Sequence, residues 1–130
     1  MTPVKFTILG DPVPYLRMTQ GQIKLMRIPD NKTSAQGMKV KNRIRRYLDW
    51  KRWVHANSCE AIPYMDRSPK TKIYLDLMIY FAGTKRGDMD NYYKGILDAI
   101  FDNDKNVCGC MDWDYDKDNP RCEIIIREME

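Results

Sequence analysis

Two periods organise the apolar positions of this chain. Residues 4–9, Val-Lys-Phe-Thr-Ile-Leu, alternate with period two and predict a strand. Gly10, Pro12 and Pro14 stop it. Residues 71–81 carry the strongest strand pattern: Ile73, Leu75, Leu77 and Ile79 share one face, Tyr74, Asp76, Met78 and Tyr80 the other. Residues 106–116 and 121–128 predict a hairpin across Asp118-Asn119-Pro120, with Cys122, Ile124 and Ile126 on one side and Glu123, Ile125 and Arg127 on the other.

The helical period appears twice. Residues 39–60 place Ile44, Tyr47, Leu48 and Val54 on one stripe. A second helix starts near Asp90 or Asn91, either of which can cap it, and sets Tyr93, Ile96, Leu97, Ile100 and Phe101 at helical spacing. Asp102-Asn103-Asp104 ends it. Residues 15–38 show little periodicity and predict an irregular arm, with a short strand at residues 23–26. The sum is one α+β domain over residues 1–130: a small mixed or antiparallel sheet with two main helices.

Composition changes this picture in three ways. A 43% hydrophobic share supports a folded core, and no run of eighteen apolar residues predicts a membrane span. The first residues lack a signal-peptide core, so the expected compartment is the cytoplasm, with no membrane partner. The net charge of +4 conceals an asymmetry: residues 1–60 carry twelve Lys/Arg against four Asp/Glu, and residues 61–130 ten against fourteen. A basic half and an acidic half suggest a polyanion partner beside a cation site, unless the halves neutralise each other across the fold.

The cation site would be Asp88, Asp90 and Asp104. Asp88 and Asp90 are two residues apart, and in extended backbone they project to one face, as paired oxygen ligands for Mg²⁺ do. Lys94 follows one helical turn later and could neutralise a phosphate. The ordinary readings are a helix cap at Asp90, a surface pair between Lys94 and Asp98, and a helix end at Asp104. Geometry sharpens the choice. A helix from Asn91 to Phe101 rises roughly 15 Å, and three more residues return at most about 10 Å. Asp104 can then meet Asp90 of its own chain only if the helix ends early or bends; otherwise the site is shared with a second subunit.

Two other patterns mislead. Asp112, Asp114, Asp116 and Asp118 imitate a calcium loop, but Lys117 stands where its glycine belongs, and the flanks are strands. Cys108-Gly109-Cys110, with Cys122 and His55, suggests zinc, but the usual C-x₂₋₄-C spacing is missing, so reduced thiols are expected. The basic surface runs through Lys41, Arg43, Arg45, Arg46, Lys51 and Arg52, with Arg17 in the arm and Lys85 and Arg86 before the acidic motif. Trp50 and Trp53 lie within it and suit core packing better than base stacking.

With these residues in view, the chain resembles the RusA family of Holliday junction resolvases, often carried by phages and prophages. Phe6 to Pro14 with Arg17 looks like the family's opening strand and turn, and Tyr47-Leu48-Asp49-Trp50-Lys51 is similar to its middle helix. The most specific stretch is Asp88-Met89-Asp90-Asn91 with Lys94, then Asp98-Ala99-Ile100, then Asp104-Lys105-Asn106-Val107; Lys117 and the closing residues 124–128 also fit. The chain departs at Asn103, where the family has the first Asp of a pair, and at Tyr15-Leu16, where Lys-Gly is common. The resemblance implies an endonuclease that needs Mg²⁺, with Mn²⁺ as the alternative, and no small-molecule cofactor. It implies a homodimer acting on branched DNA, with Asp88, Asp90, Asp104 and Lys94 as catalytic residues and the three aspartates on the metal. Two other readings stay open: a non-catalytic nucleic-acid-binding protein of the same fold, and a broader metal-dependent nuclease acting on forks and flaps.

Overall fold

A computed structural model describes residues 3–85 and 87–128. The elements run β1 (Val4–Leu9), α1 (Gln20–Met26), a 3-10 turn (Asp30–Lys32), α2 (Ala35–Ala61), β2 (Ile73–Phe81), α3 (Met89–Ile100), β3 (Val107–Tyr115) and β4 (Arg121–Glu128). The strands form one mixed sheet in the order β1-β4-β2-β3. The fold is α+β, as the periodicity predicts.

Topology corrects the predicted hairpin. β3 pairs parallel with β2 (Ile73↔Val107 through Phe81↔Tyr115), while β4 pairs antiparallel with both β2 and β1. β2 therefore separates β3 from β4, and the Asp118-Asn119-Pro120 turn carries the chain past the end of β2. Alternation reports which face a strand buries, not which neighbour it pairs with. β2, α3 and β3 make a parallel crossover unit, and that unit brings α3 onto the sheet.

One face of the sheet is the core. Ile73, Leu75, Leu77, Ile79 and Phe81 of β2, Cys122, Ile124 and Ile126 of β4, and Ile8 of β1 are buried there with Trp50 and Val54 of α2 and Ile96 and Ile100 of α3. Burial holds the Cys122 thiol at a pKa of about 12. Gly109 is required where β3 meets β2, since a Cβ there would come within 1.7 Å of the Leu75 carbonyl oxygen.

The arm is more ordered than its composition suggests. The segment expected as a strand at residues 23–26 belongs to α1, opened by a capping box between Thr19 and Gln22. That T-x-x-Q signal was legible, but the apolar cluster beside it imitates a strand. The arm is fastened to α2 by Lys41. This side chain is fully buried, and its Nζ donates to Ile28 O, to Asp30 Oδ1 at 3.0 Å and to Thr33 Oγ1 at 2.8 Å. Lys41 precedes Ile44 by three residues, so helical period alone puts it on the buried stripe. Trp50 joins the core, whereas Trp53 stays 48% exposed and donates from Nε1 to Leu9 O at 2.7 Å. Among the described residues, no helix is long and apolar enough to cross a membrane.

Candidate active site at the start of helix α3

Gly87, at φ +78°, turns the chain into α3 through a conformation that favours glycine. The cap is Asp88, two or three residues before the predicted position, and its side chain makes no capping hydrogen bond. Asp88 is extended (φ −84°, ψ 146°), but Asp90 already lies in the first helical turn. The shared-face argument for the pair, which assumed extended backbone, therefore applies only up to Asp88. Both residues are exposed. The first amides of α3, with the positive end of its dipole, favour an anion at the same place.

The expected Lys94–Asp98 surface pair is not formed. Asp98 instead accepts from Tyr47 Oη at 2.8 Å and pairs with Lys51 Nζ at 3.0 Å, tying α3 to α2. Burial first, then this carboxylate, raises the Tyr47 pKa well above the usual phenol range. Lys94 is exposed and has no ion-pair partner among the described residues. It lines an open cavity of about 650 Å³ with Tyr15, Arg17, Asn91, Asp98 and Asp104.

Asp104 thus lines, from the far end of α3, the same cavity as Lys94 and Asn91. Its loop is held from several sides. Arg67 O accepts from Asp102 N at 2.8 Å and Asn103 N at 3.2 Å, while the Arg67 guanidinium donates to Ile100 O at the end of α3 and to Ser58 Oγ. Asn106 Nδ2 donates to Pro69 O at 2.8 Å. Tyr93, one residue before Lys94, feels Asp104 as well: burial above all, then the electrostatic influence of Cys108, Asp104, Cys110 and Asp76, pushes its pKa up. Sequence reading missed Arg67, whose role depends on a loop contact between residues far apart in the chain. It also missed Gly95, where the backbone of Tyr15 passes 3.3 Å from the position of a Cβ.

The α3 helix runs as far as Ile100, so it does not end early and the geometric question remains. Among the described residues, no three His, Cys, Asp or Glu side chains lie close enough to hold a metal ion. One chain therefore does not gather Asp88, Asp90 and Asp104 into a three-carboxylate site. It offers a hard cation the exposed Asp88 and Asp90, a number of carboxylates that suits Mg²⁺, which also takes waters and phosphate oxygens.

The predicted basic surface is thinner than its sequence. Lys41, expected to contact DNA, is buried and engaged, which removes it from that surface. Arg45 pairs with Asp30 at 2.9 Å, Lys51 with Asp98, and Arg52 with Asp49 at 3.2 Å. Lys85 donates to Gly87 O at 2.7 Å and lies over the Trp113 ring. Arg17, Arg43 and Arg46 are exposed, with no ion pair among the described residues. Arg86 lies outside the described residues.

Comparison with known proteins adds an independent line. The family model described as endodeoxyribonuclease RusA matches residues 15–127, nearly the whole chain and all of the site. No curated protein sequence matches the chain. The resolvases of this family generally depend on a divalent metal and act on branched DNA junctions. By this match, the chain belongs to the RusA family of endodeoxyribonucleases, nucleases that resolve Holliday junctions.

Proposed function

We propose that this protein is a Mg²⁺-dependent, structure-selective endonuclease that resolves four-way DNA junctions as a homodimer, with Mn²⁺ as the substitute metal. One observation carries the reading: Asp88, Asp90 and Lys94 are exposed charged groups at one helix start, and the ordinary structural roles open to them are not taken up. Charged groups left without a structural partner beside a helix N-terminus suit an anionic substrate and its cation. Asp88 and Asp90 would hold the cation, with Asp104 as the third carboxylate. When bound, the cation supplies charge neutralisation and an activated water.

The chain's own groups account for the rest. Lys94 and Arg17 border the same cavity and would neutralise the phosphate oxygens as negative charge grows on them. Attack of water on phosphorus would break the bond to the 3′-oxygen, leaving a 3′-hydroxyl and a 5′-phosphate. A two-fold symmetric junction calls for two related sites, hence two chains. The separation of Asp104 from the other two carboxylates is accounted for if the sites are shared between those chains.

A synthetic four-way junction tests the reading. Wild-type protein with Mg²⁺ should cut it in pairs and should cut a fork or linear duplex far less. Asp90→Asn should bind the junction without cutting it. Binding without any metal-dependent cutting by the wild type would favour the non-catalytic alternative, and equal cutting of forks would favour the broader nuclease. For the shared site, mixing Asp90→Asn with Asp104→Asn chains should restore part of the activity; no rescue in mixed dimers would refute sharing.

A further inference from the structure

β3 is an edge strand: among the described residues it pairs with β2 on one side and with no strand on the other. We propose that this free edge pairs antiparallel with the β3 edge of a second copy of the chain, about a two-fold axis at Cys110, and that the pairing completes the active site. The proposal rests on the nuclease reading above and names the surface through which two chains share a site.

The ladder fixes which backbone groups face outward. Ile73 N donates to Asn106 O and Asp116 N to Phe81 O, each at 2.9 Å. The even-numbered residues of β3 therefore bond to β2, and the odd-numbered ones point away from it. Most of these outward N–H groups are taken within the chain. Val107 N donates to Asp104 O at 2.9 Å, Trp113 N to Asp112 Oδ1 at 2.7 Å and Tyr115 N to Asp114 Oδ1 at 2.8 Å. Among the described residues, the outward N–H groups of Gly109 and Met111 have no such acceptor. The acidic run that imitates a calcium loop thus closes one end of the edge, a usual guard against uncontrolled strand addition. It leaves a short open window around Cys110.

That window matches itself. With the two-fold axis at Cys110, Gly109 of each copy lies opposite Met111 of the other, and each such pair exchanges both of its hydrogen bonds. The occupied donors of Val107 and Trp113 then lie opposite each other as well, so no bond within either chain has to break. Trp113 and Tyr115 lie at this edge on the helix side of the sheet, 36% and 50% exposed, where the second copy's residues before Val107 would cover them.

Strand direction ties the edge to the site. β3 runs parallel to β2, so its last residues lie at the end of the sheet where α3 starts, and its first residues lie where α3 ends. Antiparallel pairing sets the beginning of one β3 beside the end of the other, with both α3 helices on one face. Asp104, just before β3, then lies toward the start of α3 of the second copy, which carries that copy's Asp88 and Asp90. One chain does not gather these carboxylates. Two chains paired in this register bring them together at each end of the joined strands, and each copy contributes Asp104 to the other's site.

Thiol crosslinking tests the register without relying on catalysis. Residues opposite each other between the bonded pairs of an antiparallel ladder have Cα atoms about 4.5 Å apart, inside the range of about 4.4–6.8 Å that a disulfide spans. Cys110 is exposed and would face its own counterpart across the axis, whereas Cys108 would face Asp112 of the second copy. Diamide, which takes up the two electrons and two protons of a thiol pair, should convert the wild-type protein to a covalent dimer on a non-reducing gel. Cys108→Ser should still crosslink and Cys110→Ser should not. Met111→Pro removes an outward N–H while sparing the bonds to β2. With its fold checked by circular dichroism, it should weaken self-association at least about tenfold, the scale of two lost hydrogen bonds per dimer, and lower junction cleavage with it. No covalent dimer, a dimer that survives Cys110→Ser, or undiminished association in Met111→Pro would overturn the proposal, even if the protein cuts junctions. A Cys110-linked dimer that cuts no junction would uphold the pairing and overturn the nuclease reading instead.

Discussion

Helix α2 and the start of α3 carry comparable densities of charge and use them in opposite ways. On α2, Lys41, Arg45, Lys51 and Arg52 each meet an acidic partner, and Lys41 is buried as a fastener for the arm. At the start of α3, Asp88 makes no capping bond and Lys94 has no ion-pair partner among the described residues. A basic run in a sequence is thus a poor guide to a binding surface, because a folded domain absorbs much of it into its own ion pairs. A smaller group of charges that the fold leaves unsatisfied points more directly to function.

The comparison predicts a split between activity and stability. Asp88→Asn or Asp90→Asn should lower junction cleavage by about 10²–10³-fold while changing urea-unfolding stability by less than about 0.5 kcal/mol. A large stability loss in both variants would place these carboxylates among the structural charges instead. Lys41→Met should do the reverse. It should cost about 3 kcal/mol of stability, because the Ile28 carbonyl and the Thr33 hydroxyl lose their buried donor and Asp30 keeps only Arg45, three hydrogen bonds at about 1 kcal/mol each, and urea titration would measure it. Arg67→Ala lies between the two. Losing its hydrogen bonds to Ile100 and Ser58 should cost about 2 kcal/mol, and the loosened Asp104 loop should lower kcat more than it raises KM. Arg52→Ala, at an exposed pair, should shift stability by less than about 0.5 kcal/mol.

Acid offers a finer test. The hydrogen bonds from Arg45 and then Lys41 hold the Asp30 pKa near 2, below its ordinary 3.8. A carboxylate depressed in the folded state contributes stability that is complete above its unfolded pKa and is lost as pH falls through its folded one. The arm's attachment should therefore weaken between about pH 4 and pH 2. Asp30→Asn should show a flatter dependence of Tm on pH in that window; an unchanged dependence would mean that other carboxylates govern the acid limb.

Much of the fold was legible along the chain. Period two marked all four strands and the buried faces of β2 and β4, and period 3.6 marked α2 and α3, because burial of one face imposes a repeat on the residues that line it. The register of Lys41 on the buried stripe was legible too, but a charged side chain disguised it. The pairing of β3 was not, since its partner β2 is chosen by the α3 crossover and not by its own alternation. The site shows the same division. Asp88, Asp90, Lys94 and Asp104 stood out as residue types at telling spacing, whereas the Arg67 clamp and the passage of Tyr15 over Gly95 depend on distant segments meeting.

By itself, the sequence determined the α+β class, the helical and strand faces and the spacing of the candidate acidic residues, all of which are local properties of the chain. Tertiary structure alone decided which charges remain free, since an ion pair exists only when two segments pack together. It also showed that a single chain brings Asp104 to Lys94 without gathering the three carboxylates, because a twelve-residue helix separates the pair at its start from the loop at its end.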